Sequence, residues 1–356
     1  MNTSILTADI HQIASLIATL KINPNALSPF YDIELSGAPA TQPLDKHFTE
    51  LVSVVCNPTA SILLKSLSAG GAGIARIYTG NDGQLIVKHQ SDASGTHCFQ
   101  QIEEQEIVAD TASLLALDMS VSPLGIAADI CMESFCALLG LVDCWRERAL
   151  LSLMDRRPKT REPYPLEAVY AAYRRSINSA DLRWLTAIVR DLYPANIDLT
   201  PEAFYRGAKS IGSGLVELHG NALSVSLHGE EFCASMSAPL SALRITASRM
   251  ENGTVIENSL IGLRGMALFF TVRTPENDDG NVQMKESSLP VLELEIHGML
   301  TRAMRRNRDS HASQPPPIKI IAPSNSPQKT LRKFCSKCGK PMEPAMRFCP
   351  ACGTSA

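Results

Sequence analysis

Apolar residues recur along this chain at two spacings. A helical period runs through Ile10, Ile13, Ala14, Ile17 and Leu20, and again through Phe204, Ala208, Ile211 and Leu215. Thr200 is placed to cap the second of these helices, with Pro201 at its first helical position, where a missing N–H costs nothing. Ile126–Met154 reads as one or two helices. Leu166–Ile177 and Ala180–Leu192 read as an antiparallel pair, with Ser179 as N-cap of the second. Leu182, Leu185, Ile188, Val189 and Leu192 form one stripe on it. Between the helices lie β-type runs, Ile62–Leu67 and Leu243–Ser248, each followed by a hairpin. The first hairpin runs Ile74–Thr79, turns at Asn81-Asp82-Gly83 and returns over Gln84–His89. The second runs Met266–Thr271, turns around Asn277-Asp278-Asp279-Gly280 and returns over Asn281–Glu286. Asp-Gly supplies the positive-φ backbone that a tight turn requires.

The two series repeat in order: helix, Asn-Ala-Leu (Asn25–Leu27; Asn221–Leu223), strand, hairpin, final apolar segment (Ile102–Leu117; Val291–Met304). This predicts an α+β body, residues 1–308, with two quasi-repeated halves at about 1–125 and 195–308. A helical segment, 126–194, lies between them. Antiparallel strands of both halves would share one sheet. A proline-rich basic linker, 309–333, follows; it contains Pro315-Pro316-Pro317, Pro323 and Pro327, and proline supports neither helix nor ladder. Residues 334–356 form the last module.

Composition sharpens the division. With 356 residues, 45% apolar and 19% charged, the chain can bury a sizeable core and is not a disordered polypeptide. No window offers the ~18 unbroken apolar residues of a membrane span, and the start, with Asp9 and His11, is not that of a signal peptide. A cytoplasmic location without membrane insertion is expected. The net charge of −3 conceals an asymmetry. Residues 301–356 hold 11 Lys/Arg against Asp309 and Glu343, or +9, leaving −12 for residues 1–300. Such a tail attracts an anionic partner or the body itself.

The cysteines divide in the same way. Cys56, Cys98, Cys131, Cys136, Cys144 and Cys233 are scattered, as small core residues in a reducing compartment would be. Cys335-Ser-Lys-Cys338-Gly339 and Cys349-Pro-Ala-Cys352-Gly353 form two Cys-x-x-Cys knuckles that can converge on one tetrahedral Zn²⁺. Redox dithiols or two disulfides are the competing readings of four such cysteines; paired Gly-terminated knuckles in a cytoplasmic chain favour the metal. Residues 334–353 resemble a zinc ribbon. Four thiolates close the coordination sphere, so the single zinc is structural. Metal binding must supply most of the folding energy of so short a segment.

Elsewhere the candidate chemistry is thin. Gly70-Gly71-Ala72-Gly73 lacks the Lys-Ser/Thr ending of a phosphate loop. Asn277–Gly280 lacks the alternating ligands of a calcium loop. Glu103, Glu104 and Glu106 read as a solvated surface, and His97-Cys98 as isolated. Ser213, between two glycines inside a predicted helix, lacks the setting of a nucleophile elbow. Arg302, Arg305, Arg306 and Arg308 can contact phosphates, but equally suit the C-terminus of a helix. No catalytic constellation emerges.

The paired hairpins at Arg76–Lys88 and Phe269–Lys285, with their flanking helices and the helical segment between, resemble the EspG-like cytoplasmic chaperones of ESX (type VII) secretion systems. The cysteine-rich end departs from that family's usual pattern. The resemblance implies capture of a helical secretion substrate at an exposed loop or strand, without catalysis. The sequence therefore predicts a non-enzymatic cytoplasmic binding or adaptor protein with a protein partner. The second reading is a nucleic-acid-associated regulator that uses the basic ribbon. The polar loop Thr274–Gly280 is the expected exposed contact element.

Overall fold

The structure is a computed structural model. It describes residues 5–31, 45–68, 71–80, 85–92, 94–117, 125–156, 162–194, 196–212, 214–251, 253–273, 281–310, 333–334 and 341–342, with backbone alone from residue 304 onward. The chain forms two compact units, Met1–Ala312 and Ser313–Ala356.

The first half of the larger unit runs β1 (Leu6–Asp9), α1 (Ile10–Leu20), α2 (Lys46–Cys56), β2 (Ala60–Ser68), β3 (Gly71–Thr79), β4 (Ile86–Ser91), β5 (Thr96–Ile102) and α3 (Glu104–Leu114). The second half runs β6 (Ala127–Cys131), α4 (Met132–Met154), β7 (Tyr164–Pro165), α5 (Leu166–Ile177), α6 (Leu185–Leu192), α7 (Pro201–Lys209), β8 (Val216–His219), β9 (Ala222–Val225) and α8 (Leu227–Met236). It continues through β10 (Ser241–Glu251), β11 (Thr254–Arg264), β12 (Phe269–Arg273), β13 (Asn281–Glu286) and α9 (Leu289–Ser310).

Among the described residues, ten strands form one antiparallel sheet in the order β1-β5-β4-β3-β2-β10-β11-β12-β13-β6. Read outward from its middle, each half contributes a four-strand meander and then the strand that began that half. The halves meet where β2 pairs β10, from Ser68↔Ser241 to Ala60↔Arg249. The α+β class and the shared antiparallel sheet are thus as the sequence implies.

The boundary of the repeat is not. The strand equivalent to β1 is β6, which pairs β13 from Asn281↔Cys131 to Lys285↔Ala127. The second half therefore starts at Ala127, not near residue 195, and segment 126–194 opens with a sheet strand instead of lying wholly between the halves as helix. Matching two helices by their apolar period carries no information about which strands pair. Asn221-Ala222-Leu223 belongs to the turn and second strand of a small β7-β9-β8 sheet, so its likeness to Asn25–Leu27 is fortuitous.

Alternation along the strands loads both faces of the large sheet. Ile62, Leu64, Ile77, Leu243, Ile245 and Leu260 point to the side covered by α3 and α9, against Ile107, Leu292, Ile296 and Leu300. Their neighbours Tyr78, Val87 and Phe99 point the other way, against Ile13, Leu16 and Ile17 of α1 and Leu51, Val52 and Val55 of α2. On that second side Ile261, Leu263, Phe270, Val272 and Met284 carry the helical layer of α4 to α8. Helix α4 is the axis of this layer. Gly207 of α7 lies so close to it that a Cβ there would sit 2.2 Å from the carbonyl carbon of Glu133. Ser134 Oγ donates to Gly207 O across the same contact at 2.8 Å.

Local signals place several ends correctly. Asp9 and Gln12 form a capping box at α1 (2.8 and 3.0 Å). Thr200 Oγ1 accepts from Ala203 N ahead of Pro201. Two helices differ from expectation. Helix α6 begins at Leu185, and Ser179 caps only a turn, accepting from Asp181 N. Helix α7 ends at Lys209, so Gly212 and Gly214 are not helical. In the smaller unit, β14 (Lys333–Phe334) pairs β15 (Pro341–Met342) and flanks Cys335 and Cys338 in sequence.

Candidate functional site

The cysteines Cys335, Cys338, Cys349 and Cys352 lie outside the described residues, as do the loop Thr274–Gly280, Ser213 and the linker from His311 to Arg332; Asp309 and Ser310 end α9. Among the described residues no group of three His, Cys, Asp or Glu side chains is arranged to hold a metal. Of the scattered cysteines, Cys56, Cys136, Cys144 and Cys233 are buried as core, and Cys98 and Cys131 are half-buried. Burial pushes the Cys56 and Cys136 thiols up to about 12 and Cys144 to about 11, so none of these three is a thiolate at neutral pH. Gly71 and Gly73 open β3 and cradle no helix N-terminus. Glu103 and Glu106 serve the start of α3, where Glu106 Oε2 accepts from Glu103 N at 2.8 Å. Glu104 reaches His297 of α9 at 2.6 Å. The Arg302–Arg308 run lies on the last turns of α9.

Three features went unread in the sequence. The first is an open groove of about 230 Å³ between α3 and the β2–β3–β4 strands. Leu64, Ala75 and Leu114 give it apolar walls, and Lys88 paired with Asp110 makes a charged rim. Leu114 of α3 is 38% exposed at its edge. Gly73 keeps the groove open: a Cβ there would meet Ser66 Oγ at 2.8 Å.

The second feature is a histidine pair. His89 of β4 and His97 of β5 occupy diagonal positions on one face of the sheet. Their rings are nearly parallel (6°), with Nε2 of His89 2.9 Å from Nδ1 of His97. Phe30 lies edge-on to both, and Phe99 stacks on His89. His89 is 2% exposed. Burial, the neighbouring His97 and Arg76 lower its pKa to about 4, so it is neutral. His97 is lowered also, chiefly by burial, with Asp92 opposing. The expectation that His97 stands alone is corrected: its partner is eight residues away across a hairpin, a spacing that no helix-based search detects.

The third feature is the outer end of α4. Its first half is buried, but Leu150, Leu151, Leu153 and Met154 are exposed, the last three by 59, 75 and 80%. Before them, two arginines lie over aromatic rings. The Arg146 guanidinium lies 4.9 Å from the Trp184 ring centroid, and that of Arg148 lies 3.7 Å from Tyr164. Arg175 of α5 pairs with Glu147.

Residues 334–355 match the family model of a zinc-ribbon domain. No curated protein matches the sequence. Among solved structures, the chain is similar to the Mycobacterium tuberculosis type VII secretion system chaperone EspG5, solved in complex with a PE25–PPE41 dimer. Identity is 10% and the TM-score 0.43, over 84% of this chain and 96% of that one. Among the described residues no helix is long and apolar enough to cross a membrane.

Proposed function

We propose that this protein is a non-enzymatic cytoplasmic adaptor that captures a protein partner in the groove beside α3. The apolar walls Leu64, Ala75 and Leu114, open to solvent beside a charged rim, carry the reading. A groove of about 230 Å³ accommodates one or two apolar side chains, and the Lys88–Asp110 rim can satisfy the polar groups that flank them. An amphipathic helix meets these requirements, since it presents apolar residues on one face with charges beside them. This agrees with the helical secretion substrate that the sequence resemblance implies, and makes a type VII secretion chaperone the finer form of the proposal.

The body to residue 308, the linker 309–333 and the ribbon 334–356 are read as separable modules, the ribbon holding one structural zinc on Cys335, Cys338, Cys349 and Cys352. The +9 charge of residues 301–356 supports a rival reading, nucleic acid bound by the basic ribbon. One experiment separates the two. A photo-crosslinking residue at Ser113 in the full chain, expressed in its native host, should trap a helical protein, and Leu114→Glu should abolish the adduct. A chain whose only retained partner is DNA, released when the ribbon is deleted, would overturn the adaptor reading. So would turnover of a small-molecule substrate.

A further inference from the structure

The two halves of the sheet match residue by residue, outward from their first hairpins. Ser66 pairs Gly73 at the same distance from its turn as Arg249 pairs Ile256. Further along the same strands, Ile77 lies opposite Lys88 of β4, and Leu260 opposite Arg273 of β12. The match extends to the helices on that face. Asp110 stands one turn after buried Ile107 in α3, as Glu295 stands after buried Leu292 in α9. Lys88 pairs with Asp110, and Arg273 with Glu295. Each half thus braces its helix to its third meander strand by the same ion pair.

The halves differ in the space beside that pair. In the first, Ser66, Gly73 and Leu114 border the open groove. Their counterparts in the second are Arg249, Ile256 and Met299. Arg249 and Met299 are buried, and Arg249 Nη2 donates to Glu251 Oε2 at 2.8 Å. An arginine stem and an isoleucine therefore occupy, in the second half, positions that the smaller Ser66 and Gly73 leave open in the first. The charge of the groove suits the same two groups. Lys88 is its sole cation and is already paired, while the Asp110 side chain stays 38% exposed and Gln90 and Ser66 offer further acceptors. The −12 charge of residues 1–300 also favours a cationic guest. An arginine can lay its stem on apolar walls and turn its head to a carboxylate.

We propose that the groove beside α3 recognises an arginine that the partner carries one helical turn from an aliphatic residue. Cross-strand neighbours such as Arg249 and Ile256 and helical neighbours four apart have similar separations, about 5 Å between Cβ atoms, so a helix can present the same two groups. This rests on the groove being the site of capture.

Blocked, alanine-rich helical peptides serve as probes, carrying Leu with Arg, Gln or Glu four residues on. The full chain should bind the Arg peptide about tenfold more tightly than the Gln peptide, and the Glu peptide least. Asp110→Asn should bring the Arg peptide to the level of the Gln peptide. Ser66→Arg combined with Gly73→Ile copies the second half; it should melt no lower than the natural protein and bind none of the peptides. Equal binding of the Arg and Gln peptides to the natural protein, or no binding at all, would overturn the inference. The adduct formed from Ser113 separates it from the capture reading. An adduct on a partner segment without arginine would refute the arginine and leave the groove standing, whereas no adduct would remove both.

Discussion

The carboxylate of Asp143, at the centre of α4, accepts the backbone N–H of Leu185 at 3.0 Å and that of Thr186 at 3.2 Å. These are among the first N–H groups of α6, which lacks a side-chain cap of its own. A residue forty-two positions away therefore performs the capping that Ser179 was expected to perform. Burial raises the pKa of Asp143, and the hydrogen bonds it accepts oppose that shift. Asp143→Ala would leave buried donors without an acceptor. It should cost about 2–4 kcal/mol, read as a lower urea midpoint with an unchanged slope.

The histidine pair makes stability pH-dependent. His89 has a folded pKa of about 4, below its ordinary 6.5, so the unfolded chain takes up protons more readily than the folded one. Stability is therefore full above pH 6.5 and is lost as the pH falls towards 4, by about 3 kcal/mol from His89. The depressed pKa of His97 adds in the same sense. Urea midpoints at intervals between these limits should fall steadily for the natural protein. His89→Phe should flatten that acid limb; an unchanged limb would show that other groups govern it.

Gly207 tests the crossing of α4 and α7. An alanine methyl would meet the Glu133 backbone, which cannot swing aside as a side-chain tip can. Gly207→Ala should lower the melting temperature and cost about 1–3 kcal/mol, although alanine is the better helix former on an exposed surface. A neutral outcome would mean that the two helices separate without penalty.

The ribbon is tested by its metal. One zinc per chain is expected by mass spectrometry of the reduced, purified protein, and Cys349→Ser should remove it or weaken it severely. A chain ending at Ala312 should bind no zinc yet melt like the full protein. A collapsed body would show that the two units depend on each other.

Features that rest on a few consecutive residues were legible in the sequence. The bounds of α5, the Thr200–Pro201 start of α7 and the strand β13 follow from apolar period, cap chemistry and turn residues. The zinc-ribbon spacing is local too, since a metal fixes the separation of its ligands. What the sequence could not reveal was long-range partnership. Whether Ala127–Cys131 is a strand depends on the β13 edge beside it, more than 150 positions on. The start of α6 depends on Asp143, and the pairing of His89 with His97 on the register of β4 and β5. The end of α4 reads in sequence as one more stretch of core helix. Only the packing of α5 to α8 along its first half decided that the leucines beyond would stand in solvent, because burial is a property of the neighbours a residue acquires and not of the residue itself.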